Sequence, residues 1–180
     1  MSQLEPVRID ALPRSAEEFQ ALRDRVARIP QGGAAAMVVA LLAFAEDEAV
    51  GGPMLVLAAD RSRLQEAPDG TQGFRLRKTD LDLVRRQVKG KPHVLRSYFR
   101  GTSPASGYRL PPAPLEIAFT DNPYSGDAAA GPYKVFVACS GADSPRPVQV
   151  RKNDKGIWKA SEWSSLIVGV KPPAPAGDDL

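Results

Sequence analysis

The first third of the chain carries apolar side chains at helical spacing. Ser15 and Glu18 fit a capping box, in which each side chain accepts a hydrogen bond from the other's backbone N–H at a helix start. The apolar residues that follow recur at steps of three and four, which predicts a helix over residues 16–28. These apolar residues are Phe19, Leu22 and Val26.

Further helices are predicted up to about residue 101. Residues 32–45 are apolar on every side, as expected of a helix that is enclosed by other elements. A third helix is predicted over residues 54–64, because a proline precedes it where a missing N–H is harmless. A fourth runs over residues 79–90 and a short fifth over residues 92–101, each starting at a capping residue or proline and ending at a glycine.

The second half of the chain changes to the two-residue alternation of β-strands. Prolines are frequent after residue 102, and residues 153–156 have the composition of a tight turn. Residues 164–170 are apolar and fit either a last strand or a short helix, because periodicity over so short a run does not separate the two. Three or four strands are predicted, from the segments 115–119, 133–137, 148–151 and 157–159.

These patterns predict an α+β fold in which N-terminal helices pack on one face of a C-terminal antiparallel β-meander. Residues 1–14 carry two prolines and little periodicity, so they are predicted to form a flexible N-terminal arm. Residues 15–173 form the single predicted α+β domain, and residues 174–180 a disordered tail. A chain cut to residues 15–173 is therefore expected to keep its fold.

The composition of the chain indicates the cellular compartment in which we expect the protein. The chain has 180 residues, of which 43% are apolar and 25% charged, values typical of a globular domain. The single cysteine, Cys139, excludes an internal disulfide, and the charged start of the chain does not resemble a secretory signal. The longest apolar run, residues 32–45, is shorter than the roughly 20 residues that span a membrane as a helix. We therefore expect a cytoplasmic protein without membrane attachment.

Two C-terminal runs are distinctive: SGADSPRP at residues 140–147 and KGIWKASEWSSL at residues 155–166. Together with the stretch PQGGAAAMVVALLAFAED at residues 30–47, they resemble an uncharacterised bacterial family, a domain of unknown function. The resemblance covers about residues 30–173. It implies no activity and assigns no role to any residue.

Common catalytic and metal-binding patterns are missing from the sequence. One histidine and one cysteine are too few for a zinc site, and neither a P-loop nor a strand followed by G-x-G-x-x-G occurs, so no cofactor and no metal are predicted. Ser97 lies four residues after His93 and would share its helix face, but a nucleophile also needs an orienting group and an oxyanion hole. Cys139 continues the apolar alternation of its strand, which favours a core thiol. We therefore predict no catalytic residue.

The best candidate for a site is the loop at residues 140–147, which joins two predicted strands. Asp143, Ser144 and Arg146 stand there between residues that fix the backbone. Glu162, between the last predicted strand and the terminal segment, is a further candidate. Alternatively, Asp143 and Ser144 cap their own turn and Arg146 pairs with a carboxylate. Trp158 is predicted to be a core anchor rather than a ligand platform.

Positive charge is concentrated in one place, although the net charge of the chain is only +3. Residues 75–100 contain nine cationic and two acidic side chains, and such a stripe could neutralise phosphates. No known nucleic-acid-binding motif accompanies it, and solvated helix faces are often this basic. The cations of this basic segment include Arg85, Arg86, Lys89 and Lys91.

From these observations we predict a cytosolic, non-enzymatic interaction module whose partner is an unknown protein. One alternative is a hydrolase or transferase that uses Asp143, Arg146 or Glu162 in an unrecognised geometry. The other is a nucleic-acid binder that uses the basic segment.

Overall fold

The computed structural model describes residues 1–175. The α-helices are α1 (Ala16–Val26), α2 (Pro30–Glu46), α3 (Glu48–Ala58), α4 (Lys78–Val88) and α5 (His93–Arg96). The strands are β1 (Ser2–Gln3), β2 (Val7–Ile9), β3 (Leu64–Thr71), β4 (Phe74–Leu76), β5 (Leu115–Ile117), β6 (Phe119–Asp121), β7 (Tyr133–Val137), β8 (Arg146–Lys152) and β9 (Trp158–Glu162). Two 3-10 helices span Arg61–Arg63 and Ser164–Ile167.

The α+β class is confirmed. The main sheet has five strands in the order β1-β6-β7-β8-β9, and all of its neighbouring strands are antiparallel. Strands β6 to β9 are consecutive both in the chain and in the sheet, so they form the expected meander. Two short ladders, β2 with β5 and β3 with β4, stand beside it. The helices precede this meander in the chain.

Helix α2 is the centre of the core, as its uniformly apolar sequence predicts. Its residues from Gln31 to Leu42 are all buried, and α2 packs against α1 and α3 as well as against β8 and β9. The start of α2 touches the sheet closely: a Cβ atom added at Gly33 would lie 2.8 Å from the Cβ of Trp158. A glycine is therefore needed where this helix approaches β9.

Helix α1 begins as predicted, with one difference in its cap. The Ser15 hydroxyl accepts a hydrogen bond from the backbone N–H of Glu18 at 3.1 Å. The Glu18 carboxylate accepts from the N–H of Arg14 at 2.8 Å rather than from that of Ser15. The return bond of the capping box thus falls one residue earlier than expected, and both bonds still satisfy N–H groups at the helix start.

The bounds predicted for the third helix, residues 54–64, are wrong, because this helix lies earlier in the chain. Helix α3 starts at Glu48, because the Asp47 side chain accepts from the N–H of Ala49 at 3.0 Å and caps it. Pro53 is inside the helix, where it removes one backbone hydrogen bond. The helix ends at Ala58 because the next residues join β9: the N–H of Asp60 donates to the carbonyl of Ala160 at 2.7 Å.

The N-terminal residues differ from the flexible arm that was expected over residues 1–14. Strand β2 pairs with β5, which places Val7 opposite Ile117 and Ile9 opposite Leu115. Strand β1 pairs with β6 at the edge of the main sheet. Ile9 is fully buried and Val7 nearly so, whereas Arg8 between them is exposed. This alternation is real but covers only three residues, too few to stand out in the sequence.

The structure refines the secondary structure that was predicted for two other segments. The strand expected over residues 115–119 is divided, because β5 pairs with β2 whereas β6 pairs with β7, and Ala118 lies between them. Residues 164–170 do not form a strand. Their first part is the 3-10 helix Ser164–Ile167, which buries Leu166 and Ile167 against the core.

The predicted tail of residues 174–180 falls mostly outside the described residues, which end at residue 175. The backbone N–H of Ala174 donates to the carbonyl of Pro104 at 2.9 Å. Among residues 1–175, no helix is both long enough and apolar enough to cross a membrane.

Candidate functional site

The loop between β7 and β8 is held firmly at its base. The N–H of Ser140 donates to the carbonyl of Ser97 at 2.8 Å, and that of Lys171 donates to the carbonyl of Gly141 at 2.9 Å. The Tyr108 hydroxyl donates to the carbonyl of Lys171 at 2.6 Å. The first two bonds connect the start of the loop to two separate parts of the chain, and Tyr108 holds the second of these parts in place. The base of the loop is therefore fixed below its exposed tip.

Arg146 at the end of this loop makes contacts that the sequence did not indicate. Its guanidinium donates to the carbonyls of Ser165 at 3.2 Å, Val168 at 3.0 Å and Gly169 at 2.9 Å. These partners are backbone oxygens of the segment after β9 rather than a carboxylate. Arg146 therefore anchors that segment to the start of β8.

Asp143 and Ser144 occupy the tip of the loop and face solvent. The Asp143 side chain is 94% exposed and pairs with the ammonium of Lys171 at 3.2 Å. Exposed pairs of this kind contribute little to stability. Within residues 1–175, the side chains of Asp143 and Ser144 accept no hydrogen bond from a backbone N–H of their own turn.

Arg146 is bonded to the backbone whereas Asp143 is exposed, so we predict that replacing the two residues has different effects on stability. We expect Arg146→Ala to lower the free energy of unfolding by about 1.5–3 kcal/mol, the range for losing hydrogen bonds from a charged group. Asp143→Ala is expected to change it by no more than about 0.5 kcal/mol, as for other exposed positions. Urea denaturation of the two variants measures both values, and equal losses would contradict the structural role given to Arg146.

Three adjoining cavities surround the loop. One of about 240 Å³ includes Ser97, Thr102 and Cys139 in its lining, and one of about 300 Å³ shares Cys139, Ala118 and Ala138 with it. The third, of about 410 Å³, shares residues 142–145 with the second. Because each cavity shares lining residues with the next, the three cavities lie side by side on one surface. We call it the loop surface, made of Ala118, Ala138, Cys139 and residues 140–147.

The character of the loop surface changes along its length. Its middle part is largely apolar and includes Ala118 and Ala138, whereas its far part is polar and includes Asp143 and Arg146. An apolar floor with a few polar groups at one end is typical of binding sites. Cys139, which the sequence placed in the core, is half-buried and lines two of the cavities.

His93 and Ser97 do not form a nucleophile and base. The Ser97 hydroxyl donates to the carbonyl of Val94 at 2.6 Å and accepts from the thiol of Cys139 at 3.3 Å. The His93 ring instead stacks on Tyr108, with the ring centroids 5.9 Å apart. Burial lowers the pKa of His93, and the positive charges of two neighbouring residues lower it further. Both effects favour the neutral imidazole. The group against which it stacks is an aromatic ring and not a nucleophile.

Glu162 belongs to a different cleft from the loop surface. Its carboxylate accepts from Arg63 at 2.9 Å and from the hydroxyl of Ser164 at 2.6 Å. Burial raises the pKa of Glu162, but the hydrogen bonds from Ser164 and the charge of Arg63 outweigh it and keep that pKa below its usual value. The cleft has a volume of about 220 Å³ and also includes Asp80. The structure thus separates Glu162 from Asp143, Ser144 and Arg146.

Within residues 1–175, five of the nine cations of the basic segment are paired with acidic residues, and four of these five pair with acids from other parts of the chain. Arg85 donates two hydrogen bonds to Glu48, at 2.8 and 2.9 Å, and Lys89 lies 3.7 Å from the same carboxylate. The hydrogen bond from Arg85 is the largest influence on the pKa of Glu48, which is lowered. Three further pairs are Arg96 with Glu46, Arg100 with Glu116 and Lys78 with Asp82.

This pairing argues against nucleic-acid binding. The sequence of residues 75–100 shows only the acids within the segment and not the acidic partners that lie outside it. Four cations of the segment have no ion pair within residues 1–175, namely Arg75, Arg77, Arg86 and Lys91. Phosphate binding depends on the number of cations that contact phosphates. The remaining positive surface is therefore much smaller than the count of nine suggests.

We accordingly expect no binding of a short DNA duplex at micromolar protein in about 150 mM salt. Fluorescence anisotropy of a labelled duplex, repeated with single-stranded RNA, measures this directly. Micromolar binding that is lost in the double variant Arg85→Glu with Arg86→Glu would overturn this expectation. The matched control reverses two exposed charges elsewhere, Lys152→Glu with Lys155→Glu.

Lys159 is a largely buried titratable group whose burial no pattern in the sequence indicates. Burial lowers its pKa to about 8, and the nearby charge of Arg23 acts in the same direction. The carboxylates of Asp60 and Asp24 oppose this shift. Lys159 does not line the loop surface, so it takes no part in that site.

Among the described residues, no group of three or more histidine, cysteine, aspartate or glutamate side chains is arranged to hold a metal ion. Comparison with known proteins gives no match among curated proteins and none among solved structures. The sequence model of one family matches residues 11–174, nearly the whole chain. The chain therefore belongs to that family, which is described as a domain of unknown function (DUF6935).

Proposed function

We propose that this domain is a non-enzymatic interaction module and that it binds a protein partner on the loop surface. The observation that carries the proposal is that three cavities adjoin one another around residues 140–147. A concave region with an apolar middle and a polar end suits the side chains of a partner. The fixed base of the loop supports this role, because a preformed surface loses little conformational entropy on binding.

The enzyme alternative has less support from the geometry. A hydrolase or transferase built on Asp143, Arg146 and Glu162 needs these groups around one reacting atom. The guanidinium of Arg146 is already bonded to three carbonyls, and Glu162 lies in another cleft. We also propose a cytoplasmic location, because the one cysteine is a half-buried thiol that no disulfide protects.

Site-specific photo-crosslinking in the native host tests the proposal. A photoreactive amino acid is placed at Ser144 on the loop surface, or at Asp154 in the exposed turn between β8 and β9 as the matched control. We expect a discrete protein adduct from position 144 and none from position 154. Adding Ala142→Trp, which fills the shared part of two cavities, is expected to remove the adduct. The same adducts from both positions would contradict a specific partner on the loop surface.

A further inference from the structure

The main sheet has one covered face and one open face. The covered face packs on helix α2, and Val135, Val148 and Ala160 are fully buried there. Successive side chains of a strand point to opposite sides, so the residues between these face away from the helix. They are exposed or half-buried. We call this side the open sheet face, which on β6, β7 and β8 is made of Thr120, Lys134, Phe136, Pro147, Gln149 and Arg151.

The open sheet face carries two positive charges and, among these six residues, no carboxylate. Lys134 lies directly opposite Gln149, so Lys134 and Arg151 are diagonal neighbours across β7 and β8, about 7–8 Å apart in such a ladder. Both residues are exposed. In the part of the chain that the structure describes, neither forms an ion pair. Both cations are therefore available to a ligand.

The next strand adds a third positive charge instead of neutralising Arg151. Lys159 lies directly opposite Arg151 on β9. The acids near Lys159 have other roles, because Asp24 pairs with Arg23. The carboxylate of Asp60 caps the 3-10 helix that follows it. Like charges in directly opposed positions destabilise a sheet, and such departures from folding rules are typical of functional surfaces.

Phe136 supplies an apolar contact beside these cations. It follows Lys134 by two residues on β7 and lies opposite Pro147 on β8. The side chain is half-buried but does not belong to the hydrophobic core. Among residues 1–175, its ring stacks on no other aromatic ring and has no cation above it. Aromatic side chains that are available in this way contribute strongly to protein interfaces.

The open sheet face continues into the loop surface. Ala118 and Ala138 line two cavities of the loop surface, and the N–H of Ala138 donates to the carbonyl of Ala118 at 3.0 Å. Each lies two residues from a member of the open sheet face, Ala118 before Thr120 and Ala138 after Phe136, and so continues the same side of its strand. A partner held at the loop can therefore extend across the sheet to the two cations.

We propose that the partner bound on the loop surface contacts the open sheet face with an acidic segment that also presents a large apolar side chain, a proposal that rests on the function proposed above and adds the chemistry of the partner. Carboxylates of the segment face Lys134 and Arg151, and its apolar side chain contacts Phe136. Complementary charge of this kind selects partners and fixes their orientation.

Two acetylated and amidated octapeptides test the charge of this surface without the native partner. Each contains two Phe and two Ser residues, completed by four Glu residues in the first and four Lys residues in the second. Binding to the full chain at low salt is followed by chemical-shift changes of its backbone amides. We expect the Glu peptide to bind at least about fivefold more tightly, with shifts concentrated at residues 134–138 and 147–151. The preference is expected to shrink as salt is added.

Two neighbouring residues of β8 provide matched variants, because their side chains lie on opposite faces of the sheet. Arg151→Glu is expected to abolish the preference for the Glu peptide, and Lys134→Glu is expected to act in the same way. Lys152→Glu is expected to keep the preference, since the Lys152 ammonium lies on the other side, 5.9 Å from the centre of the Trp158 ring.

Thermal melting separates loss of the surface from loss of the fold. Arg151→Glu places a carboxylate opposite Lys159, and opposite charges in that position stabilise a sheet. We therefore expect this variant to melt no lower than the unmodified chain while it loses the preference.

Equal binding of the two peptides, shifts confined to other residues, or the same loss in Lys152→Glu as in Arg151→Glu would overturn the proposal. The photo-crosslinking result is a separate outcome. An adduct at position 144 without a preference for the Glu peptide refutes the acidic segment alone. A preference located on the open sheet face without an adduct supports the acidic contact and refutes the partner site on the loop surface.

Discussion

We expect removal of residues 1–14 to lower the free energy of unfolding by about 3–6 kcal/mol, because two apolar side chains lose their burial, each contributing about 1.5–3 kcal/mol. Val7 and Ile9 pack into the core through β2, and the same truncation deletes the pairing of β1 with β6. This is a large part of the roughly 5–15 kcal/mol that stabilises an ordinary domain. Thermal and urea denaturation of the shortened chain measure the effect.

Point variants separate burial from a general effect of truncation. Ile9→Ala removes a fully buried side chain and is expected to cost about 2–5 kcal/mol. Arg8→Ala changes the exposed residue between the two buried ones and is expected to stay within about 0.5 kcal/mol. A shortened chain that melts like the full chain would show that residues 1–14 are dispensable, as the sequence alone suggested.

Trp158→Ala is expected to lower the free energy of unfolding by about 3–5 kcal/mol, as large-to-small aromatic substitutions in a core do. Trp158 is 2% exposed and starts β9 against the first turn of α2, where Gly33 leaves room for it. Its backbone N–H also donates to the carbonyl of Ala27 at 2.8 Å, a bond that the substitution keeps. Loss of the indole therefore leaves a cavity between the sheet and the central helix.

Lys155→Ala, in the exposed turn before β9, provides the control and is expected to have a negligible effect on stability. Both variants are compared by urea denaturation at the same pH. A stable Trp158→Ala variant that has lost its photo-crosslinked partner would make this tryptophan a binding platform instead of a core residue.

The sequence predicted those elements whose signals are local. The cap and periodicity of α1, the uniform apolarity of α2 and the alternation of β7 and β8 depend on neighbouring residues only, and all are found. Helix α3 was misplaced because Pro53 is usually found near a helix start, whereas Asp47 caps this helix six residues earlier. Its end is decided by the pairing of Asp60 with β9, a tertiary contact that no local pattern contains.

The candidate site likewise combines a feature that the sequence predicted with tertiary contacts that it could not predict. The sequence identified residues 140–147 as the segment that presents polar groups, and the structure places cavities around it. The contacts of Arg146 with residues after β9 depend on tertiary structure, as do the pairs of Arg85 with Glu48 and of Arg100 with Glu116. A cavity of about 290 Å³ between residues 12–14 and helix α2 could not be predicted, because one of its walls comes from residues whose sequence indicates a flexible arm.

The central claim is that the loop surface binds a partner, and amide hydrogen exchange tests it most directly. Within residues 1–175, the N–H groups of Ala142, Asp143 and Ser144 donate no hydrogen bond, so they exchange rapidly in the free protein. After the partner captured at position 144 has been purified and mixed with the unmodified chain, we predict slower exchange at residues 138–147 and unchanged exchange at residues 153–156. Unchanged exchange at residues 138–147, with protection confined to other parts of the chain, would contradict the account.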